Sequence, residues 1–468
     1  MTETSYVQER QYQTKILELV DLSIERFQNP IIELDCGMGK RVLMLLLLQK
    51  FRDQNTVVIL QSTASLFETR DYFQKNGLKD IAFLTSRISG RYRQKLVEES
   101  RIVLCTPQTL ENTLKKMDQS ITKRFDIVII NEIDTLVRRT AYGRIMVHPY
   151  STLLPRFTNS TLIGMSGTLR DSHLLVDAKG AEFVREIDTL ADNLTKVRLI
   201  SMEEIMSGTD FEEYVSTTEI VRMPVEDPEV VSLLIDLDDL VRQHREELEE
   251  ELADEEPELL DNIPKGSLAA MVDLLPLEEK VKNRYKGLMM LRKYLVSMVP
   301  SQSKKFLYRV KELDRAKIKS LTAIPSRMKT IVNLLGDLNE KRAVVLCSYI
   351  KTAETICEEM GRGGYEPFLI TGQVASKNEV LDGFRTCKKP CVLVMTSVGE
   401  RDLDIQETKL LIIYDTINTT KTMYQRLKRT RGGKVVFLYY PATSEERKVA
   451  RLMGDIKQKY PWTVEIHI

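Results

Sequence analysis

The first part of the chain alternates short, unbroken apolar runs with amphipathic stretches. The runs at Pro30 to Leu34, Thr56 to Leu60, Asp80 to Leu84, Arg101 to Cys105, Asp126 to Ile130 and Ser160 to Gly164 have the length of strands buried on both faces. Between them, Arg41 to Phe51 and Ala64 to Lys75 carry helical spacing. Strands alternating with helices predict a doubly wound parallel sheet. The rhythm returns near residue 340, with strands expected at Arg342 to Cys347, Glu366 to Ile370, Pro390 to Met395, Lys409 to Tyr414 and Lys434 to Tyr439. The intervening stretch has almost no β-branched runs and reads as helical. The expectation is an α/β chain with two parallel-sheet lobes, residues 1–205 and 326–468, and a helical insert over 206–325.

Length and composition fit this division. A chain of 468 residues, 43% hydrophobic and 29% charged, is too long for one core and ordinary for a globular protein. The longest apolar run, Val42 to Leu48, is closed off by Arg41 and Lys50, well short of a membrane span. The N-terminus lacks the pattern of a signal peptide. Cys36, Cys105, Cys347, Cys357, Cys387 and Cys391 lie apart without metal-ligand spacing and read as reduced, so a cytoplasmic, nucleoid-associated protein without a membrane partner is expected. No zinc-type cysteine pairs, Ser–His–Asp arrangement or dinucleotide fingerprint appears, and His148, His173, His244 and His467 are too scattered for a metal cluster. No metal ligands are assigned.

Candidate chemistry begins after the first strand, at Asp35-Cys36-Gly37-Met38-Gly39-Lys40-Arg41. A strand, a glycine loop and a helix start aim backbone N–H groups at phosphate, and a lysine there reaches the outer phosphates. A tight turn before a helix would use the same glycines. A hydroxyl should follow the lysine to ligate Mg²⁺, but the residue is Arg41. After the strand Asp126 to Ile130 comes Asn131-Glu132-Ile133-Asp134. Phosphoryl chemistry wants a carboxylate for Mg²⁺ first and a second to position water. The first place holds neutral Asn131, and Glu132 survives as the base. Arg41 is expected to put its guanidinium where the ion would sit and to pair with Glu132.

In order along both lobes, the motifs resemble the superfamily 2 helicases, specifically the Hef and Fanconi anaemia group M branch. Arg10-Gln11-Tyr12-Gln13 is similar to the family's R-x-Y-Q, in which the glutamine reads adenine. Gln61-Ser62-Thr63 stands at a strand-end DNA contact, Cys105-Thr106-Pro107-Gln108-Thr109-Leu110-Glu111-Asn112 resembles A-T-P-Q-V-x-E-N, and Ser166-Gly167-Thr168 resembles S-A-T. Later come Thr371-Gly372-Gln373, then Thr396-Ser397-Val398-Gly399-Glu400-Arg401-Asp402-Leu403-Asp404-Ile405, similar to T-S-V-G-E-E-G-L-D-I. Tyr424-Gln425-Arg426-Leu427-Lys428-Arg429-Thr430-Arg431-Gly432 resembles I-Q-R-x-G-R-T-G-R. The resemblance implies two RecA-like lobes. It implies ATP held by Gln13, Gly37, Met38, Gly39, Lys40, Arg41 and Asp404, and catalysis by Glu132, Arg429, Gln425 and Arg426. Register puts Arg429 on one arginine finger and Gly432 on the other, and Lys428 and Arg431 replace two glycines. Loss of a hydroxyl, a carboxylate and a finger predicts ATP binding with weak or absent hydrolysis, since a finger alone is worth about 10³ to 10⁵ in rate.

The resemblance also implies a nucleic-acid strand held by its phosphates at Thr63, Thr106, Gly372, Thr396 and Ser397, positions that equally suit helix caps. The insert adds an independent signal. Glu226 to Asp261 holds sixteen acids against two arginines, and Lys280 to Lys319 holds thirteen cations against Glu312 and Asp314. The cations, among them Lys280, Arg284, Arg292, Lys293, Lys304 and Lys305, are interleaved with Tyr285, Tyr294, Phe306 and Tyr308, as on a nucleic-acid face. A solvated helix surface, or one paired with the acidic run, is the plainer alternative. The acidic stretch 246–258 is expected to shield the basic half. The resulting expectation is a binder of forked or branched DNA, a pseudo-helicase platform partnered by a nuclease or another repair protein. An active DNA-stimulated ATPase and an RNA helicase stand as alternatives.

Overall fold

The computed structural model describes residues 9–35, 37–78, 80–137, 152–177, 180–261, 263, 267–338, 340–374, 376–396, 408–415, 420–428, 432–462 and 464–467. The chain divides into two compact units, Met1–Val215 and Ser216–Ile468.

The first unit is built on a seven-stranded parallel sheet in the order β3-β4-β2-β5-β6-β1-β9. Its strands are β1 (Asn29–Glu33), β2 (Thr56–Ile59), β3 (Ile81–Phe83), β4 (Ile102–Cys105), β5 (Ile127–Asn131), β6 (Thr161–Ser166) and β9 (Val197–Ile200), while β7 (His173–Asp177) and β8 (Gly180–Val184) form a separate antiparallel hairpin. Every residue of β2 and β4 is buried, which explains why they read as unbroken apolar runs. Helices α1 (Gln11–Glu25), α2 (Lys40–Lys50), α3 (Thr63–Lys75) and α4 (Pro107–Leu114) position the motifs of this unit.

The second unit repeats the plan in the order β12-β13-β11-β14-β15-β10-β16, again wholly parallel. The strands are β10 (Thr218–Pro224), β11 (Arg342–Cys347), β12 (Glu366–Ile370), β13 (Cys391–Thr396), β14 (Leu410–Ile413), β15 (Lys434–Tyr439) and β16 (Val464–His467). The stretch expected to be wholly helical therefore contains a strand, β10, inserted between β15 and β16. Helices α5 (Pro228–Glu255) and α6 (Glu279–Ser297) pack together through Leu233, Leu237, Val241, Leu288, Leu291 and Leu295. That seam is continuous with the apolar face of the sheet at Val345 and Val394, so the helices share the sheet's core. Two later helices, α7 (Thr420–Leu427) and α8 (Ser444–Lys459), complete the parts needed below.

Candidate functional site

The glycine loop runs from β1 into α2, with Gly37 at φ 86° and Gly39 at φ 78°, a left-handed conformation that favours glycine. A Cβ on Gly39 would lie 3.4 Å from the Gln13 side-chain nitrogen, so the adenine-reading candidate sits directly against the loop. Gln13 is itself fixed, its Oε1 accepting from the Arg10 N–H at 3.1 Å. The neighbouring Tyr12 hydroxyl donates to the Met38 carbonyl at 2.9 Å. Burial raises the Tyr12 hydroxyl above its ordinary pKa and keeps it a neutral donor.

What holds α1 there comes from the far end of the unit. Both Asp210 oxygens accept from the start of α1, from the Gln11 N–H at 3.2 Å and the Tyr12 N–H at 3.0 Å, so a carboxylate sits at the positive helix end. Phe211 and Tyr214 close on the Tyr12 ring at 5.5 and 5.9 Å, and the Arg10 guanidinium lies 3.7 Å over the Tyr214 ring. Sequence reasoning missed Asp210, Phe211 and Tyr214, because nothing local marks a residue whose partner lies 199 positions away.

The acidic element departs from expectation. Lys40, rather than Arg41, pairs with Glu132, at 2.7 Å, and Arg41 turns to Glu68 of α3 at 2.7 Å. The reason is helical geometry: one residue further along α2 is about 100° further round it, which carries Arg41 away from β5. Glu132 holds an uncommon positive φ of 54°, and its carbonyl accepts from Gln61 Nε2 at 3.2 Å. The same Gln61 nitrogen donates to Thr135 at 2.7 Å. The Ser166 hydroxyl donates to Asp134 at 3.0 Å and lies 3.1 Å from the Thr168 carbonyl. Three motifs are thus linked into one hydrogen-bonded group. The donor set does not suit Mg²⁺: Arg41 offers no oxygen, Asn131 no charge, and Glu132 is engaged by Lys40. The loop does suit phosphate, with its glycines, Lys40 and the start of an eleven-residue helix whose first turn carries no acid.

The strand-end positions fall in pairs within each unit. β2 and β4 are neighbours, so Thr63 and Thr106 share the C-terminal edge of the first sheet. Thr106 caps α4, accepting from the Thr109 N–H at 3.4 Å, whereas α3 is capped by Ser62, leaving Thr63 exposed. In the second unit β12 and β13 are neighbours, which places exposed Gly372 and buried Thr396 at the same edge. Ser397 and Asp404 lie outside the described residues, as do Arg429 and Arg431.

The last motif is described up to Lys428 and again from Gly432. Arg426 is buried near Asp415, which closes β14 and accepts from the Ser348 N–H at 2.8 Å. Burial raises the Asp415 carboxyl, against the pull of the Ser348 bond and of Arg426. Asp415 escaped the sequence reading, although an acid directly after a buried strand, as at β5, was a usable signal. Gln425 is half-buried in α7. Lys428 is buried, donating to the Ser216 carbonyl at 2.9 Å. Gly432 adopts φ 86°, and a Cβ there would lie 3.3 Å from the Thr217 carbonyl. Two departures from the family pattern thus fit one segment, and an arginine at 432 would be strained.

In the helical region much of the basic half is matched. Arg292 pairs with Asp238 at 3.0 Å, Lys317 with Asp236 at 2.7 Å and Arg284 with Glu312 at 2.6 Å. Lys304 donates to the Lys319 and Leu321 carbonyls at 3.1 and 2.9 Å. Lys305 lies 4.9 Å over the Phe306 ring and Lys293 5.9 Å over the Tyr349 ring, while Lys280 is exposed. Among the described residues, Asp236 and Asp238 of α5 pair with the basic half, and at the other end of α5 Arg245 pairs with Glu249 at 2.8 Å along the helix itself. Among the described residues no helix is long and apolar enough to cross a membrane, and no group of three or more His, Cys, Asp or Glu could hold a metal ion.

Comparison with known proteins adds to this geometry. Residues 6–171 match the model of the type III restriction enzyme res subunit, and residues 326–433 match the helicase conserved C-terminal domain. A Methanocaldococcus jannaschii protein named as an ATP-dependent RNA helicase is 23% identical over 445 residues, 88% of this chain and 56% of its own. A Sclerotinia sclerotiorum protein named as the ATP-dependent DNA helicase mph1 is 23% identical, covering 90% of this chain and 39% of its own. The chain thus spans only about half or less of the length of these relatives. In fold, it superposes on the Hef helicase domain of Pyrococcus furiosus with a TM-score of 0.59, at 17% identity, over 95% of this chain and 98% of that one.

Proposed function

This chain belongs to superfamily 2 of the helicases, in the Hef and Fanconi anaemia group M branch, and from that premise we propose that it is a DNA-binding platform that binds ATP but hydrolyses it weakly or not at all. The observation that carries this reading is the state of the phosphate loop. Its glycines, Lys40 and Gln13 are arranged to hold a nucleotide, while Arg41 is committed to Glu68 and Asn131 brings no charge for a metal. ATP would be held by the N–H groups of the loop and the Lys40 ammonium, with Gln13 beside the base. Glu132 would exchange its partner Lys40 for water only after phosphate draws the lysine away. Gly432 weakens the chemistry further, because it brings no guanidinium and its backbone disfavours one.

DNA would lie along the sheet edges at Thr63 and Thr106 and at Gly372 and Thr396, held by its phosphates. Forked or branched DNA is the proposed substrate, and a repair nuclease the proposed partner. The test measures ATP turnover and forked-DNA affinity together. Retained DNA binding with no turnover supports the platform. DNA-stimulated turnover that Lys40→Ala and Glu132→Gln both abolish overturns it in favour of an active motor, a reading favoured by the intact link from Ser166 through Asp134 to the acidic element. One named relative is an RNA helicase, so structured RNA belongs in the same experiment as competitor. Displacement of forked DNA by a lower concentration of RNA would reassign the substrate.

A further inference from the structure

In the second unit, α6 and the start of α8 meet around one carboxylate. Asp238 of α5 accepts from Arg292 at 3.0 Å, from the Ser444 N–H and hydroxyl at 2.8 Å each, and faces Arg447 at 3.7 Å. Beside it on α8, Lys448 has Arg292, Lys293, Arg451 and Glu445 as charged neighbours. Of the two acids in the first turn of α8, Glu445 is held in a buried pair with Arg327 at 2.6 Å, and Glu446 accepts from the Ala442 N–H at 2.9 Å. Cations therefore outnumber acids here, and they crowd the first turns of α8, whose peptide dipole adds further positive potential. The crowding registers on Lys448, whose ammonium is pushed down to about 8, by burial first and then by Arg292 and Arg451, with Lys293 adding to them and Glu445 opposing. Such an arrangement suits an anion. Its shape selects the anion. Arg447 and Arg451 are four apart on α8 and share a face, and with Lys293 on α6 they form an exposed row rather than an enclosed pocket. A row suits successive phosphates of a strand better than one free phosphate.

We propose that Lys293, Arg447, Lys448 and Arg451 form a nucleic-acid backbone site, shared by the helical region and the last helix. It rests on the DNA-binding reading above and extends it to α8, which no motif marks. In the test, labelled forked DNA is titrated into wild-type protein and the Arg447→Gln/Arg451→Gln double variant over a range of salt. The expected result is affinity about tenfold weaker, and a salt dependence shallower by the equivalent of about one to two neutralised phosphates, irrespective of DNA sequence. Lys293→Gln gives an independent second variant, whose salt dependence should be shallower by about one phosphate. Both variants should keep the wild-type melting temperature. Unchanged affinity and salt slope in both variants overturn the site while leaving the functional reading standing. Wild-type protein that binds no nucleic acid overturns the functional reading itself and the site with it. Polyglutamate, titrated in parallel, tests an acidic protein as occupant: weakening confined to polyglutamate also overturns the proposal.

Discussion

Two cationic neighbourhoods in this chain follow opposite rules. At the phosphate loop of the first unit, each cation has its own acid, Lys40 with Glu132 and Arg41 with Glu68. At the meeting of α6 and α8 in the second unit, Asp238 serves two arginines and Ser444 at once, and Glu445 is withdrawn into the core. A balanced pair has to be opened before a ligand can use either partner, whereas an unbalanced cluster gains as soon as an anion arrives. The first neighbourhood has its charges internally satisfied, and the second is the one proposed to bind.

The contrast can be broken most forcibly at Arg327. Its fully buried guanidinium holds Glu445 and the Tyr414 carbonyl, so Arg327→Met strands a buried carboxylate and should cost about 3–5 kcal/mol in urea unfolding. Next in size is an attempt to convert the first neighbourhood back to chemistry. Arg41→Thr with Asn131→Asp restores a hydroxyl and a carboxylate, and phosphate release should rise at least about tenfold, or 1.4 kcal/mol of barrier. It should still fall short of a full motor, because the arginine finger that the resemblance places at Gly432 would be worth about 10³ to 10⁵. A smaller effect is expected from Tyr12→Phe. It removes the bond to the Met38 carbonyl, and should cost about 0.5–1.5 kcal/mol of stability and weaken nucleotide binding by fluorescence titration.

The mildest test concerns pH. Lys448 faces Arg292 and Lys293 from α6 and Arg451 and Glu445 from α8, and it is held down at about 8. It is charged below that value and neutral above it, so DNA affinity should fall as pH rises from 7 to 9. The sign for stability is opposite: a lysine whose folded pKa is depressed disfavours the folded state at low pH, and that penalty fades as pH rises through 8. Lys448→Met should flatten both profiles.

The strands of both sheets were largely legible in the sequence, because parallel strands buried on both faces must be apolar throughout. β10 was not. Its residues Thr218-Glu219-Ile220-Val221-Arg222-Met223-Pro224 are only partly buried, and its sheet partners lie far along the chain. The phosphate loop was legible as a motif, but its partners were not. The sequence suggested that Arg41 would reach Glu132, yet rotation about α2 gives that contact to Lys40. Asp210 and Tyr214 were invisible for the same reason as β10: a contact made by chain return has no local period. Gly432 read as a lost finger. Its left-handed backbone against Thr217 gives the loss a second cause, in the shape of the turn itself.

The insertion of β10 also bears on how the protein is made. Every strand of the first sheet has been synthesised by Ile200, so that unit can close early on the ribosome. β10 follows almost at once, but both of its neighbours, β15 (Lys434–Tyr439) and β16 (Val464–His467), are translated much later. At ordinary elongation rates of about 5–20 residues per second, the half-apolar strand waits roughly 10–40 s for its partners. Throughout that interval its two edges are open to chaperones, or to the same strand of a chain emerging beside it.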